Sequence, residues 1–206
     1  MSDNNFTDDD SNNLHVQNDT EEFYAAGILP FAIKNNNSIY VLLGQDKDRR
    51  WSDFGGKSEK SDDNDPEKTA VREFFEETCD SVLDEISIHK NISNKKCYQI
   101  NDKTGKGFQY YMYLVKISFK EEYITNFKTV MNFLKKYQYK ENTMIDRKYL
   151  EKFELQWFPL DVIKQSIKNK DDYLLRPIFK GTLEKNIEII DKYCKECLLE
   201  EQLKNI

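Results

Sequence analysis

Two neighbouring stretches decide the reading: Trp51-Ser52-Asp53-Phe54-Gly55-Gly56-Lys57-Ser58-Glu59, and Pro66-Glu67-Lys68-Thr69-Ala70-Val71-Arg72-Glu73-Phe74-Phe75-Glu76-Glu77-Thr78. The second has helix-start chemistry, with Asp65 as N-cap and Pro66 at the first helical position, so a helix is expected over 66–78. On that helix Glu73, Glu76 and Glu77 stand at i, i+3 and i+4 and share one face. Ala70, Val71, Phe74, Phe75 and Thr78 form the other face and should pack on a sheet. Carboxylates on adjacent turns repel by a few tenths of a kcal/mol per pair. A hard divalent cation reverses that sign, and Mg²⁺ commonly bridges carboxylates to substrate phosphates. Gly55-Gly56 allow close backbone approach, so a carbonyl oxygen could join the ion. A solvated acidic face is the ordinary reading of such a charge run. Glycines, arginine and an aromatic inner face at fixed spacings set this one apart.

Outward from that segment, Phe23–Ile33 and Ser38–Leu43 flank the Asn35-Asn36-Asn37 turn and read as a β-hairpin. Trp51–Phe54 reads as a short strand and Gly107–Ser118 as a long one. Residues 81–102 give no clear pattern. In Glu121–Tyr139 the apolar positions Ile124, Phe127, Val130, Met131 and Leu134 step by three and four, as an amphipathic helix requires. Leu155–Leu160 is a strand or turn. Asp161–Asn169, Arg176–Thr182 and Leu183–Leu203 look helical. The fold class is α/β with a helical C-terminal third.

The chain has 206 residues, 38% hydrophobic and 33% charged, with four cysteines and a net charge of −6. That is enough chain for a real core without disulfide staples. No stretch approaches the apolar length of a membrane span. Residues 1–22 hold seven acids and no Lys or Arg, which leaves 30 acids against 31 bases in the rest. So polar a start cannot offset its ordering entropy, and a disordered acidic tail is expected over 1–21. It lacks the basic start and apolar run of a targeting peptide, so the expected location is soluble, intracellular and cytoplasmic.

The glycine-to-glutamate segment resembles the Nudix box: Gly, five residues, Glu, seven residues, then Arg-Glu-apolar-any-Glu-Glu-any-Gly-apolar. Arg72-Glu73-Phe74-Phe75-Glu76-Glu77 matches its second half position by position, Gly56 matches the opening glycine, and Gly55-Gly56-Lys57-Ser58-Glu59 fits a common family form. Ala25-Ala26-Gly27 and Trp157-Phe158-Pro159-Leu160 extend the resemblance. Two departures stand out. Gly56 and Arg72 are two residues too far apart, so the first box Glu falls on Asp62 counted forward or Asn64 counted back. The closing glycine is Cys79, followed by Asp80.

The resemblance implies a Nudix-type α/β/α sandwich with a mixed sheet over 22–165 and a helical C-terminal extension over 166–206 packed on it. It also implies a metal-dependent pyrophosphohydrolase that cleaves a nucleoside diphosphate linked to another moiety, with Mg²⁺ or Mn²⁺ as cofactor. Carried over residue by residue, Glu73 and Glu77 would be metal ligands and Glu76 a ligand or the group that activates water. Gly56 would offer its carbonyl, and Arg72 would hold the carboxylates. Glu151 and Glu154 are candidates for a further acid from a later loop. From the residues themselves, Arg49, Arg50 and Lys57 flank the glycines and could meet phosphates, against solvated loop charge. Trp51, Tyr111 and Tyr113 could stack on a base, although aromatic strand residues are more often core. Lys128–Lys180 has 12 bases and seven acids, a bias that suits RNA or an ordinary soluble surface. Relatives in the family the segment resembles also cut capped RNA, and the length and helical annex beyond Asp161 are compatible with so large a substrate, so decapping is an alternative, and a catalytically silent nucleotide-binding module is another from a different class. Cys194 and Cys197 read as an incidental C-x-x-C.

Overall fold

The computed structural model describes residues 23–34, 37–94, 97–104, 107–141, 144–169 and 172–204; the expected acidic tail lies outside them. A seven-stranded mixed sheet is built from β1 (Tyr24–Ile33), β2 (Ile39–Gln45), β3 (Trp51–Ser52), β4 (Phe54–Lys57), β5 (Cys97–Lys103), β6 (Gln109–Lys116) and β7 (Glu154–Pro159). The central path runs β3-β2-β1-β6-β5, with β4 paired to β1 and β7 to β2. β1 and β2 form the expected hairpin, Phe31 opposite Val41, with Asn37 in a left-handed turn (φ 62°). β1 and β6 run parallel and pair Tyr24 with Gln109 through Phe31 with Lys116.

Helices cover both faces: α1 (Pro66–Thr78), α2 (Glu85–Ser93), α3 (Glu122–Glu141), α4 (Leu160–Lys168) and α5 (Pro177–Lys204). Alternation along the strands divides the core in two, because successive side chains point to opposite faces. Ala26, Ile28, Tyr113 and Val115 pack with Phe74 of α1, Ile88 of α2 and Phe127 and Met131 of α3. Leu29, Phe31, Met112 and Leu114 pack with Ile163 of α4 and with Phe179, Leu183, Ile190 and Cys194 of α5. The architecture is an α/β/α sandwich. The stretch without a clear pattern holds α2 and β5. The two expected C-terminal helices form one continuous α5, and residue 165 lies inside α4. Among the described residues no helix is long and apolar enough to cross a membrane.

α1 ends at Thr78 as expected, with Cys79 in the place of the closing glycine. Cys79 itself takes the left-handed conformation (φ 49°) and Asp80 follows at φ 56°. The Cys79 N–H donates to the Glu76 carbonyl and the Asp80 N–H to the Phe75 carbonyl. These bonds offset the cost of left-handed backbone in residues with a Cβ. The helix stops where a glycine would have stopped it.

Candidate active site

α1 is fixed at its start by Asp65, whose side chain accepts from the Glu67 N–H. It packs against β4, so its carboxylate face meets the glycine pair. A Cβ on Gly56 would lie 2.4 Å from one oxygen of Glu73; only a residue without a side chain admits that carboxylate. The Gly55 N–H donates to Glu77 Oε2 at 2.8 Å. Both halves of the segment read from the sequence therefore meet in space.

Arg72 organises this cluster. Its Nε and Nη2 hold the two oxygens of Asp62, each at 3.0 Å, in a fork-to-fork pair. Nη1 donates to Glu73 Oε1 at 2.9 Å and to Glu76 Oε2 at 3.3 Å, and Nη2 also donates to the Lys57 carbonyl. Asp62 is buried and further accepts from the Glu59 N–H and the Thr69 hydroxyl. Burial pushes the Asp62 carboxyl up, but Arg72 and these donors outweigh it and hold it below the usual range. Asp62 thus anchors the arginine from the enlarged loop.

The glutamates are less exposed than an outward-facing acidic stripe requires. Glu76 is 5% and Glu77 4% exposed. Burial, then the like charges of Glu76 and Glu151, push Glu73 up to about 7 against the pull of Arg72. Two lysines that the sequence reading passed over are seated on this face. Lys148 Nζ donates to Glu76 Oε1 at 2.8 Å, and Lys152 Nζ stands 3.4 Å from Glu77 Oε1. Among the described residues no three His, Cys, Asp or Glu side chains are placed to hold a metal ion as they stand.

Glu73 and Glu76 supply the hard oxygens a divalent cation takes, and the Lys148 side chain on Glu76, 38% exposed, can swing into water, while Arg72 Nη1 stays on one oxygen of each glutamate. At Glu77 the Gly55 N–H takes one oxygen and Lys152 faces the other. Glu151 adds charge beside Glu73 from an exposed position. Glu154 begins β7 opposite Gln45, also exposed.

A cavity of about 480 Å³ opens on Gly55, Gly56 and Lys57. Phe23, Tyr24, Phe108, Tyr110, Ile178 and Phe179 give it apolar walls, and Asp53 and Arg176 add polar groups. Arg176 arrives there because the chain before α5 clamps to Trp51: Trp51 N–H donates to the Leu174 carbonyl and Arg176 N–H to the Trp51 carbonyl. Of the substrate-contact candidates, Lys57 lines this cavity. Trp51 does not; it is buried edge-on against Phe158. Tyr111 points to the α1 side, edge-on to Tyr24, and Tyr113 is buried in the core on that face. Arg50 pairs with Asp48 outside the lining. The tyrosine at the cavity is Tyr110, one place earlier on β6, where strand alternation turns it to the opposite face.

Asp53, 7% exposed, accepts a hydrogen bond from the Tyr110 hydroxyl. Burial pushes its carboxyl up to about 6, against the lowering effects of Tyr110, Lys152 and Arg176. The folded state therefore binds this proton more tightly than the unfolded chain. The resulting stabilisation is full below the unfolded pKa and is lost as pH rises through about 6. At one pKa unit per 1.36 kcal/mol, the charged form costs on the order of 3 kcal/mol at pH 8. Asp53→Asn should therefore stabilise the metal-free protein at pH 8 by about 2–3 kcal/mol in urea unfolding, with the gain vanishing near pH 4. Equal stabilities at pH 8 would contradict this placement of the charge.

No protein-family model matches the chain, and no curated protein does. Solved structures similar to it include a Nudix hydrolase from M. smegmatis, RenU, at 15% identity over 82% of this chain and 86% of that one, TM-score 0.46. Another is the Nudix domain of Shewanella oneidensis NrtR complexed with ADP ribose, at 15% identity, 81% and 87% coverage and TM-score 0.47. A third is a C. elegans Ap4A hydrolase in a binary complex, at 16% identity, 82% and 98% coverage and TM-score 0.44.

Proposed function

We propose that the protein is a divalent-metal-dependent pyrophosphohydrolase of the Nudix type, acting on a nucleoside diphosphate linked to another group. The observation that carries this reading is the glycine pair shared by two features. On one side Gly56 accommodates the carboxylate of Glu73; on the other, Gly55, Gly56 and Lys57 line a cavity with aromatic walls and a cationic group, Arg176. A flat base suits the aromatic walls, and Lys57 and Arg176 suit phosphate oxygens.

In this reading Glu73 and Glu76 would hold Mg²⁺ or Mn²⁺, which when bound supplies positive charge to the phosphoryl oxygens and acidity to a water. Arg72 keeps the two carboxylates in register from its anchor on Asp62. Water adds to one phosphorus, the bridging P–O bond breaks, and a carboxylate of this pair accepts the proton of the attacking water. Glu76→Gln keeps the side chain's shape and removes its charge. It should lower turnover by about 10²–10⁴-fold, the range for a lost general base. Undiminished turnover would overturn the assignment.

A second reading, a silent nucleotide-binding module, is favoured by one observation: Lys148 and Lys152 already occupy carboxylates of the cluster. Binding of a nucleoside diphosphate with no hydrolysis in either metal would select it. Capped RNA remains a substrate to be tried under the first reading.

A further inference from the structure

The C-terminal end of α3 stands clear of the core. Tyr123, Phe127 and Met131 bury the helix against the sheet, whereas every residue from Lys135 to Lys140 is exposed. At this end Phe133 and Tyr137, 64% and 45% exposed, stack on each other with ring centres 6.0 Å apart and planes 22° from parallel. Lys136 and Lys140 stand three residues beyond them. Positions 133, 136, 137 and 140 are therefore i, i+3, i+4 and i+7, one stripe along the helix. Lys135 sets its ammonium 5.1 Å from the centre of the exposed Phe153 ring.

The charge of this end runs against that of the chain. Acids outnumber bases 37 to 31 overall, yet residues 128–140 hold four lysines (Lys128, Lys135, Lys136 and Lys140) and no Asp or Glu. Among the described residues no carboxylate pairs with any of the four. Their charge is left to attract a polyanion. A helix that docks in a protein groove carries apolar anchors at i, i+3, i+4 and i+7; here the second and fourth of those places are lysines. Aromatic rings interleaved with cations suit a single-stranded nucleic acid instead, because every base has a face to stack and every linkage a phosphate. A duplex hides its base faces and would leave the rings unused.

We propose that the C-terminal end of α3 is a docking surface for single-stranded RNA, with Phe133 and Tyr137 stacking on bases and Lys135, Lys136 and Lys140 meeting phosphates. The surface lies outside the glutamate cluster and the cavity, and it stands independently of the hydrolytic reading.

The test is fluorescence anisotropy of a short labelled oligoadenylate with a 5′-hydroxyl end, titrated with the full chain in chelator. Neither metal nor a pyrophosphate bond then takes part. Wild type should bind this RNA at least threefold more tightly than an RNA duplex of the same length. Phe133→Ala/Tyr137→Ala should lose at least tenfold in affinity, the scale of lost base stacking. Lys136→Gln/Lys140→Gln should flatten the plot of log affinity against log salt by about 1.4, at about 0.7 per phosphate contact. All four side chains are exposed, and circular dichroism checks that the variants fold; if the aromatic variant does not, the lysine variant decides. No binding by wild type, equal affinity for the duplex, or wild-type behaviour in either folded variant would overturn the proposal. Tighter binding of the DNA strand of the same sequence would overturn the assignment to RNA. Light scattering without RNA covers the remaining occupant: a dimer that Phe133→Ala/Tyr137→Ala dissolves would give the surface to a second copy of the chain and overturn the proposal too.

Discussion

Arg72→Ala is expected to cost about 3–5 kcal/mol of stability, the loss found when one side of a buried ion pair is removed. Five hydrogen bonds leave this side chain, two of them to the two oxygens of buried Asp62. Without the guanidinium, Asp62 keeps the Glu59 N–H and the Thr69 hydroxyl but loses its counter-charge. Glu73 and Glu76 lose the shared cation between them. Arg72→Lys restores one charge but not the planar fork, so it should recover less than half of the loss. Urea unfolding of the metal-free proteins at pH 7.5 measures this. A loss below about 1 kcal/mol, the scale of an exposed ion pair, would show that the network is peripheral.

Gly56→Ala should separate folding from chemistry. The added methyl would meet Glu73 at 2.4 Å (Oε1), 2.5 Å (Cδ) and 2.6 Å (Oε2). No real contact is that short, so the carboxylate must turn away. Glu73 is the end of a flexible side chain, and its movement spares the backbone. Stability should fall by about 1 kcal/mol, as is typical of a point substitution. Displacing a catalytic group by about 1 Å can cost 10²-fold in rate, and turnover should fall by at least that factor. Circular dichroism and thermal unfolding would establish the fold, and kcat/KM the effect. Unchanged kcat/KM would mean that Glu73 does not need its place beside Gly56.

Legibility in the sequence followed the physics of each signal. α1 is legible from its start at Pro66 to about Thr78, because capping at Asp65, Pro66 and the period of its apolar face act locally. The hairpin and α3 came from the same kind of pattern. α2 and β5 were not readable, since their short apolar positions carry neither period clearly. At the site, the face of Glu73, Glu76 and Glu77 was legible from helix geometry. Their burial was not, because it depends on β4 and on the loop bearing Lys148 and Lys152. Those lysines sit in a lysine-rich chain and offer no local sign of their partners. Asp62 was found only as a counting position, its role against Arg72 being set by a loop conformation. Tyr110 is not legible as the cavity tyrosine, because alternation groups Tyr111 with Tyr113 on one face without saying which face meets the cavity. Arg176 reaches the cavity through backbone pairing with Trp51, a contact between residues far apart in the chain.

The most direct measurement is release of phosphate-containing product from nucleotide sugars, dinucleoside polyphosphates, nucleoside triphosphates, inositol pyrophosphate and capped RNA, in Mg²⁺ and then Mn²⁺, with Glu76→Gln beside the wild type. A pyrophosphate bond in at least one nucleoside diphosphate derivative should be cut only when metal is present, and Glu76→Gln should lower the rate by about 10²-fold or more. Hydrolysis that persists at the same rate in chelator, or in Glu76→Gln, would contradict the metal-dependent reading.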